Sequence, residues 1–437
     1  MYINQSTPKK YLLRFITFFS ILILIFIFYQ CSEFQTEPAE APQQPETLTL
    51  PNSMVSILSS NGSTYHIYTH PDLPGNDLII YAHGYYSPEE DPWKPEDDEI
   101  DDTPFPVIAH QLGFSYATTS YPYPGLNVPD AVLDLVSLVD YFEQNFWVPE
   151  HIYLIGASEG GLITTKSVEQ HPSKFSGGMA TCGPVGNFIS QINYLGDFHV
   201  VFNYFFPGVI PGDPTSIPQQ VIDNWESYKE NIKQAIAAKP GRTEQLLNVT
   251  GAAIDPADPT SVEKTVTDIL WYNVFATNDA INRLGGKPYS NRWKWYSGSN
   301  NDWRLNFRIP RYRADSEAID NMNRKFQTSG DLAIPLVMLH TALDPVVPYW
   351  HEPLYRLKIF TNGSGLMHTN IPVFRYGHCE FEMQDILAGF AVLVFKVALQ
   401  DLFVPESLLP LAADQAEFLQ KAEEFGAKPK IKLKTGY

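Results

Sequence analysis

Cysteine is scarce: three residues in a chain of 437. That excludes a small disulfide-stapled scaffold, and a hydrophobic fraction of 44% is ample for a core without staples. Positive charge is also scarce. Thirty Lys and Arg face 49 Asp and Glu, for a formal net charge of −19. A chain this acidic does not bind nucleic acid or anionic lipid through its general field. The long apolar run near the start, Phe15 to Tyr29, is interrupted only by Thr17 and Ser20. A membrane-spanning helix needs about twenty residues. The shorter run, behind Lys9, Lys10 and Arg14, reads as the apolar region of a signal peptide. No internal repeat, phosphate loop or metal motif is found, so neither a metal nor a cofactor is expected.

What is present centres on Tyr153-Leu154-Ile155-Gly156-Ala157-Ser158-Glu159-Gly160-Gly161. A short apolar run ends in Gly-x-Ser-x-Gly, and a helix-compatible run, Leu162 to Gln170, follows. Strand, tight turn and helix are the setting of a nucleophile elbow. Side chains at positions 156 and 160 would collide with a neighbouring strand or helix, which calls for Gly there. The Ser158 hydroxyl then stands at a helix N-terminus, where developing negative charge is favoured.

An acid and a histidine follow in order. Ile334 to His340 reads as a buried strand that runs into a loop holding Asp344. Ile371 to Phe374 reads as a second strand, leading to Tyr376-Gly377-His378-Cys379-Glu380-Phe381. His378 precedes an apolar helix from Gln384 to Leu402. Serine, acid and histidine in that order, each just past a strand, suit nucleophilic acyl transfer.

At Gly156–Gly161, Leu339–Pro348 and Gly377–Phe381 the chain resembles the α/β-hydrolase superfamily. The likeness is greatest to secreted bacterial serine esterases and their prolyl-oligopeptidase-type relatives, from about Val55 to Leu402. It implies an α/β fold: a mostly parallel eight-stranded sheet with helices on both faces. A large, mainly helical cap would be inserted after the sixth strand. The expected division is a signal peptide at 1–30, a flexible tether at 31–51 and hydrolase core at 52–183. A cap at 184–330, core again at 331–405 and a C-terminal helix with a basic tail at 406–437 complete it. The segment Ile79-Ile80-Tyr81-Ala82-His83-Gly84-Tyr85 matches the family's oxyanion loop. The resemblance thus implies an oxyanion hole built from the backbone N–H groups of Tyr85 and Glu159.

Other features extend this reading. Cys31 directly after the apolar run resembles a bacterial lipoprotein signal, although Phe28-Tyr29-Gln30 are larger than usual before the cysteine. A lipid on Cys31 would hold an exported protein at the cell envelope. Ser32 to Pro51, rich in Glu, Gln, Thr and Pro, reads as the tether. In an exported protein the remaining Cys182 and Cys379 suggest a disulfide bracing the His378 loop, or else two small buried hydrophobes. Nine acidic residues between Glu89 and Asp102 read as a solvated loop rather than a Ca²⁺ site. Tyr121 and Tyr123 either line the substrate site or belong to a rigid proline loop. In the cap, helices are expected at Ser216–Ala238 and Ser261–Leu284, with most aromatics forming its own core. The mixed segment Trp293 to Arg313 is the favoured cleft lining, through Trp293, Trp295 and Trp303. Arg304, Arg308, Arg311 and Arg313 are expected to pair with acids. Glu159 is expected to act through its N–H rather than its carboxyl, and His340 to hydrogen-bond locally.

The expected activity is ester hydrolysis on a small-molecule or oligomeric ester. With only about 75 residues ahead of the strand before His83, no β-propeller gate is expected, which argues against a peptidase. A peptidase of prolyl-oligopeptidase type and a non-catalytic binding module of the same fold are the alternatives. A feruloyl-esterase-like pair of cysteines beside Ser and His is only half met, because Ala157 precedes Ser158. Expected partners are the substrate and, through Cys31, a bacterial membrane; nucleic acid is not among them, and oligomeric state is left open.

Overall fold

The computed structural model describes residues 54–70, 72–89 and 92–402. The signal peptide, Cys31, the tether and the expected C-terminal helix and basic tail lie outside them.

Eight strands form one sheet. They are β1 (Met54–Leu58), β2 (Thr64–Tyr68), β3 (Leu78–Ala82), β4 (Ser115–Thr119), β5 (Ile152–Ala157), β6 (Gly177–Thr181), β7 (Leu336–Leu343) and β8 (His368–Tyr376). Their order is β1-β2-β4-β3-β5-β6-β7-β8. The first hairpin turns at Asn61-Gly62, and β2 pairs antiparallel with both β1 and β4. From β4 onward every pairing is parallel. Strands β3, β4 and β6 are buried along their whole length because helices cover both faces.

On one face lie α2 (Val128–Asn145) and α3 (Glu159–Gln170). Leu135, Leu138, Val139 and Phe142 bury the inner stripe of α2 against Ile80, Leu154 and Leu162. The opposite face carries α1 (Phe105–Gln111) and, near the end of the described chain, α12 (Met383–Leu402). The stretch Met383–Gln400 is long and apolar enough to cross a membrane. Here Phe390, Leu393 and Val397 pack it on Met179, Val337 and Leu339 of the sheet.

Between β6 and β7 the chain leaves the sheet and builds helices. These are α4 (Phe188–Phe205), α5 (Gln219–Asp223), α6 (Trp225–Ala238), α7 (Pro240–Thr250), α8 (Ser261–Leu284), α9 (Asp302–Arg308) and α10 (Ser316–Asn321). They enclose a second core of Phe198, Phe202, Phe206, Trp225, Ile269 and Val274. The helix expected at Ser216–Ala238 is broken at Asn224, which ends α5 and starts α6. Helix α9 lies inside the Trp293 to Arg313 segment expected to line the cleft. The return to the sheet runs through α11 (His351–Thr361) between β7 and β8.

Candidate active site

Ser158 sits between β5 and α3 with φ 57° and ψ −121°, a left-handed conformation that is strained for serine. Its N–H donates to Thr181 O at 2.9 Å. A Cβ at position 156 would stand 2.3 Å from Gly160 O, and one at 160 would stand 1.9 Å from Ala82 O. Only glycine lets α3 approach β5 and β3 closely enough to hold the turn.

Asp344 follows β7 directly, and His378 comes two residues after β8. The parallel sheet brings these strand ends together. Ser158 Oγ lies 2.8 Å from His378 Nε2, and His378 Nδ1 lies 2.7 Å from Asp344 Oδ2. The other Asp344 oxygen accepts the N–H groups of Val346 and Val347 at 2.8 and 2.9 Å. Burial alone would raise the Asp344 pKa. The charges and hydrogen bonds of His378 and His340 outweigh it and hold the carboxyl at about 2.

Sheet order, strained elbow and hydrogen-bonded Ser–His–Asp array together decide the fold family. The chain has the α/β-hydrolase fold. The prolyl oligopeptidase family model matches residues 127–193 of this hydrolase, a span that includes the elbow. Among curated proteins none matches it. An esterase from Pyrococcus furiosus is similar at 12% identity, covering 83% of this chain and 95% of its own, with a TM-score of 0.42. Feruloyl esterase B from Aspergillus oryzae is 14% identical over 75% of this chain and 73% of its own, with a TM-score of 0.41. An acylaminoacyl peptidase from Pyrococcus horikoshii is 10% identical over 88% of this chain and 43% of its own, at 0.39. At scores this low the likeness says nothing about substrate. The hydrolase is a serine hydrolase.

The loop after β3 lies against the serine: a Cβ at Gly84 would be 3.3 Å from Ser158 Cβ. His83 is stacked between Trp93 and Tyr121, with ring centroids 4.2 and 4.0 Å away. Burial pushes His83 down to about 4, so the ring is neutral and its Nδ1–H donates to Gly84 O at 2.8 Å. Glu159, as the first residue of α3, has an N–H without an intrahelical acceptor. Its carboxyl is buried and accepts the Asn127 N–H at 2.8 Å. Burial raises that carboxyl to about 8, which keeps it neutral at pH 7.

Behind Asp344 lies a feature that single-residue reading does not find. His340 is fully buried, with Nδ1 2.9 Å from Glu352 Oε1 and Nε2 2.7 Å from Val347 O. Both partners are pure acceptors, so both ring nitrogens carry protons and His340 is a cation. Burial works against the charge, but the hydrogen bonds His340 donates to the Asp344 and Glu352 carboxylates, and their charges, push the pKa up to about 10. Its Nε2 is 3.6 Å from Asp344 Oδ2, so the acid has an imidazole on each side. His351 is different: its Nδ1 accepts Gly186 N–H at 3.0 Å, and burial keeps the ring neutral.

Cys182 and Cys379 form a disulfide with a Cα–Cα distance of 5.5 Å. It ties the end of β6 to the residue after His378. Both cysteines have left-handed backbones, φ 45° and 56°. Their sulfurs and His378 cluster within 4.8 Å, a spacing that could hold a metal. The disulfide occupies both sulfurs and Ser158 and Asp344 occupy the ring, so the group does not fit a metal ion.

The expected substrate contacts require correction. Tyr121 is buried; its hydroxyl donates to His83 O at 3.1 Å, so it supports the oxyanion loop rather than lining a cleft. Tyr123 lies under the Arg283 guanidinium, 3.7 Å from its ring centroid, and its hydroxyl bonds to Asp130. Trp293, Trp295 and Trp303 stand exposed on the cap, and among the described residues none of their contacts reaches the serine or histidine. Being large and apolar did not bury them, because Leu305 and Tyr296 take the inward positions of that segment. Arg311 donates to the carbonyls of Asn291 and Lys294 instead of pairing with an acid. The acidic loop is not wholly solvated either. Asp98 is half-buried, accepting from Trp93 Nε1 at 2.8 Å and from the Tyr81 hydroxyl at 3.4 Å, and loss of solvent raises its carboxyl to about 6.

The aromatics that approach the site come from α8. The Tyr272 ring stands 6.0 Å edge-on to His378, and Trp271 and Tyr272 each stand 6.4 Å from Tyr85. Nothing in the sequence beyond the adjacent Trp-Tyr pair marks them. Helix α8 is pinned over the site by Asp279, which accepts the Leu126 N–H at 2.6 Å. The next residue, Asn127, bonds to Glu159, so one short loop links cap to elbow.

Proposed function

We propose that this serine hydrolase cleaves carboxylic esters through Ser158, His378 and Asp344. The observation that carries the reading is the unbroken chain of hydrogen bonds, 2.8 Å from Ser158 to His378 and 2.7 Å from His378 to Asp344. An isolated serine hydroxyl is too weak an acid to ionise at neutral pH. His378 Nε2 takes the proton as Oγ attacks the acyl carbon, and Asp344 holds the resulting imidazolium in place. The carbonyl oxygen becomes an oxyanion. The N–H groups of Tyr85 and Glu159 are assigned to receive it, each worth about 3 kcal/mol of barrier. Collapse expels the alkoxide, which takes the proton from His378. Water then repeats the cycle on the acyl-enzyme and frees the carboxylic acid.

The rings of Trp271 and Tyr272 support an acyl or alcohol group of some bulk, since Tyr272 borders His378 and Trp271 borders Tyr85 of the oxyanion loop. We assign export to the first thirty residues and lipid attachment to Cys31. Loss of membrane-bound, acyl-labelled protein in Cys31→Ser would test that assignment. The match of residues 127–193 to the prolyl oligopeptidase family favours a second reading, a serine peptidase. Hydrolysis of p-nitrophenyl esters across acyl chain lengths, run beside chromogenic peptide amides, separates the two. Ester turnover without amide turnover is expected; amide turnover alone would replace the ester reading.

A further inference from the structure

Four large apolar side chains stand out of the cap within fifteen residues. Trp293 is 87% exposed, Trp295 52%, Trp303 79% and Phe307 88%. Trp295, Trp303 and Phe307 form one patch, and Trp293 stands two residues before it in the chain, under Arg292. The Trp295 and Trp303 rings are 5.1 Å apart, and Trp303 and Phe307 lie one turn apart on α9. Arg311 fastens the two halves, donating to Lys294 O on one side and to Asn306 on the other. Leu305 seats α9 in the cap core, so the outward side chains are held on a rigid base.

The charge around them reverses that of the molecule. From Arg292 to Arg313 there are six basic residues and one acidic residue, in a chain of net charge −19. Among the described residues, no carboxylate lies within ion-pair distance of Arg292, Arg304, Arg308 or Arg313. Exposed aromatics of this size, rimmed by unpaired cations, mark an interaction surface rather than an incidental exposure.

We propose that this face of the cap docks on an anionic phospholipid bilayer. Tryptophan prefers the headgroup region, where its ring is buried and its N–H stays wet. Arginines beside it attract anionic headgroups, each by about fivefold in binding at low salt, so the four unpaired ones give a preference of several hundredfold. The acidic remainder of the chain does not cancel this, because fields are screened beyond about 10 Å. A polysaccharide fits less well: stacking on sugars wants coplanar rings, and Trp295 and Trp303 meet at 78°. A two-fold dimer through the patch would set like charges against each other. The docking is separate from any lipid on Cys31, and it would orient the cap toward the membrane.

Hydrogen exchange of the whole protein tests this. Amides in 292–308 are compared in phosphatidylcholine vesicles and in vesicles with about one-third phosphatidylglycerol. Association through the first fifty residues is common to both and drops out. Exchange in this segment is expected to slow by about tenfold or more in the anionic vesicles only, and to recover at high salt. A variant carrying Trp303→Ser, Phe307→Ser, Arg304→Gln and Arg308→Gln keeps Leu305; it should lose the protection while retaining its melting temperature and ester turnover. Equal exchange in both vesicles would overturn the proposal. So would protection that grows with protein concentration without lipid, which means a second copy, or protection by dextran sulfate but not by vesicles.

Discussion

Removing the Cys182–Cys379 bridge is the perturbation whose size is best defined. The bridge closes a loop of 197 residues. Chain-entropy arithmetic for a loop of that length gives about 5 kcal/mol of stabilisation, as an upper figure. Spread over an unfolding entropy of about 0.7 kcal/mol/K for a body of roughly 350 residues, this lowers Tm by about 7 °C. The second effect is local. Cys182 and Cys379 hold left-handed backbones, and with the tie cut both are free to relax. Cys379 is covalently next to His378, so the relaxation shifts the imidazole relative to Ser158. A displacement of about 1 Å costs up to about a hundredfold in rate. Cys182→Ala/Cys379→Ala should therefore melt about 7 °C lower and lose between about ten- and a hundredfold in kcat with little change in KM. Calorimetry and ester kinetics on oxidised, reduced and double-variant protein provide the test. An unchanged Tm together with kcat within about twofold of wild type would mean that the bridge neither stabilises the fold nor holds His378 in place.

Three further outcomes are expected. Glu159→Gln removes a buried carboxyl whose folded pKa is raised from 4.5 to about 8. Between those values the folded state holds a proton that the unfolded state has lost, so wild-type stability falls as pH rises from about 5 to 8. The variant should lose that slope in a series of thermal melts while keeping its backbone N–H and most of its activity. His340→Leu leaves Glu352 buried without its cation and should cost about 3–5 kcal/mol in denaturant unfolding at neutral pH. His340 has a raised pKa, so its contribution is complete below pH 6.5 and disappears as pH rises through about 10; the variant's deficit should shrink over that range. Tyr272→Ala removes a ring that stands beside His378; KM for bulky esters should rise about tenfold while the acetate ester is little affected, as a chain-length series would show.

The parts of this hydrolase that were legible in its sequence are those set by neighbours along the chain. Gly156 and Gly160 around Ser158, and loops placed directly after apolar runs for Asp344 and His378, carry local patterns, and the parallel sheet converges their strand ends. Helix α8 was legible from end to end because its apolar positions keep one period over 24 residues. The pairing of His340 with Glu352 was not, since it joins a strand to a helix and depends on burial. Cap aromatics were misassigned for a related reason. Trp271 and Trp303 are chemically alike, and only packing decides that one approaches the site while the other faces solvent. Tyr121 read as a pocket residue because it follows a strand at the active end. The structure turns it inward, at φ 56°, to stack on His83.

In the proposed reaction Ser158 attacks the acyl carbon with His378 as its base. Turnover of a short p-nitrophenyl ester by Ser158→Ala, compared with wild type, tests it most directly. The variant should lose about 10⁶ in kcat with an unchanged melting temperature, because the three residues act as a unit. Ester turnover within about tenfold of wild type in a folded Ser158→Ala protein would contradict that reaction.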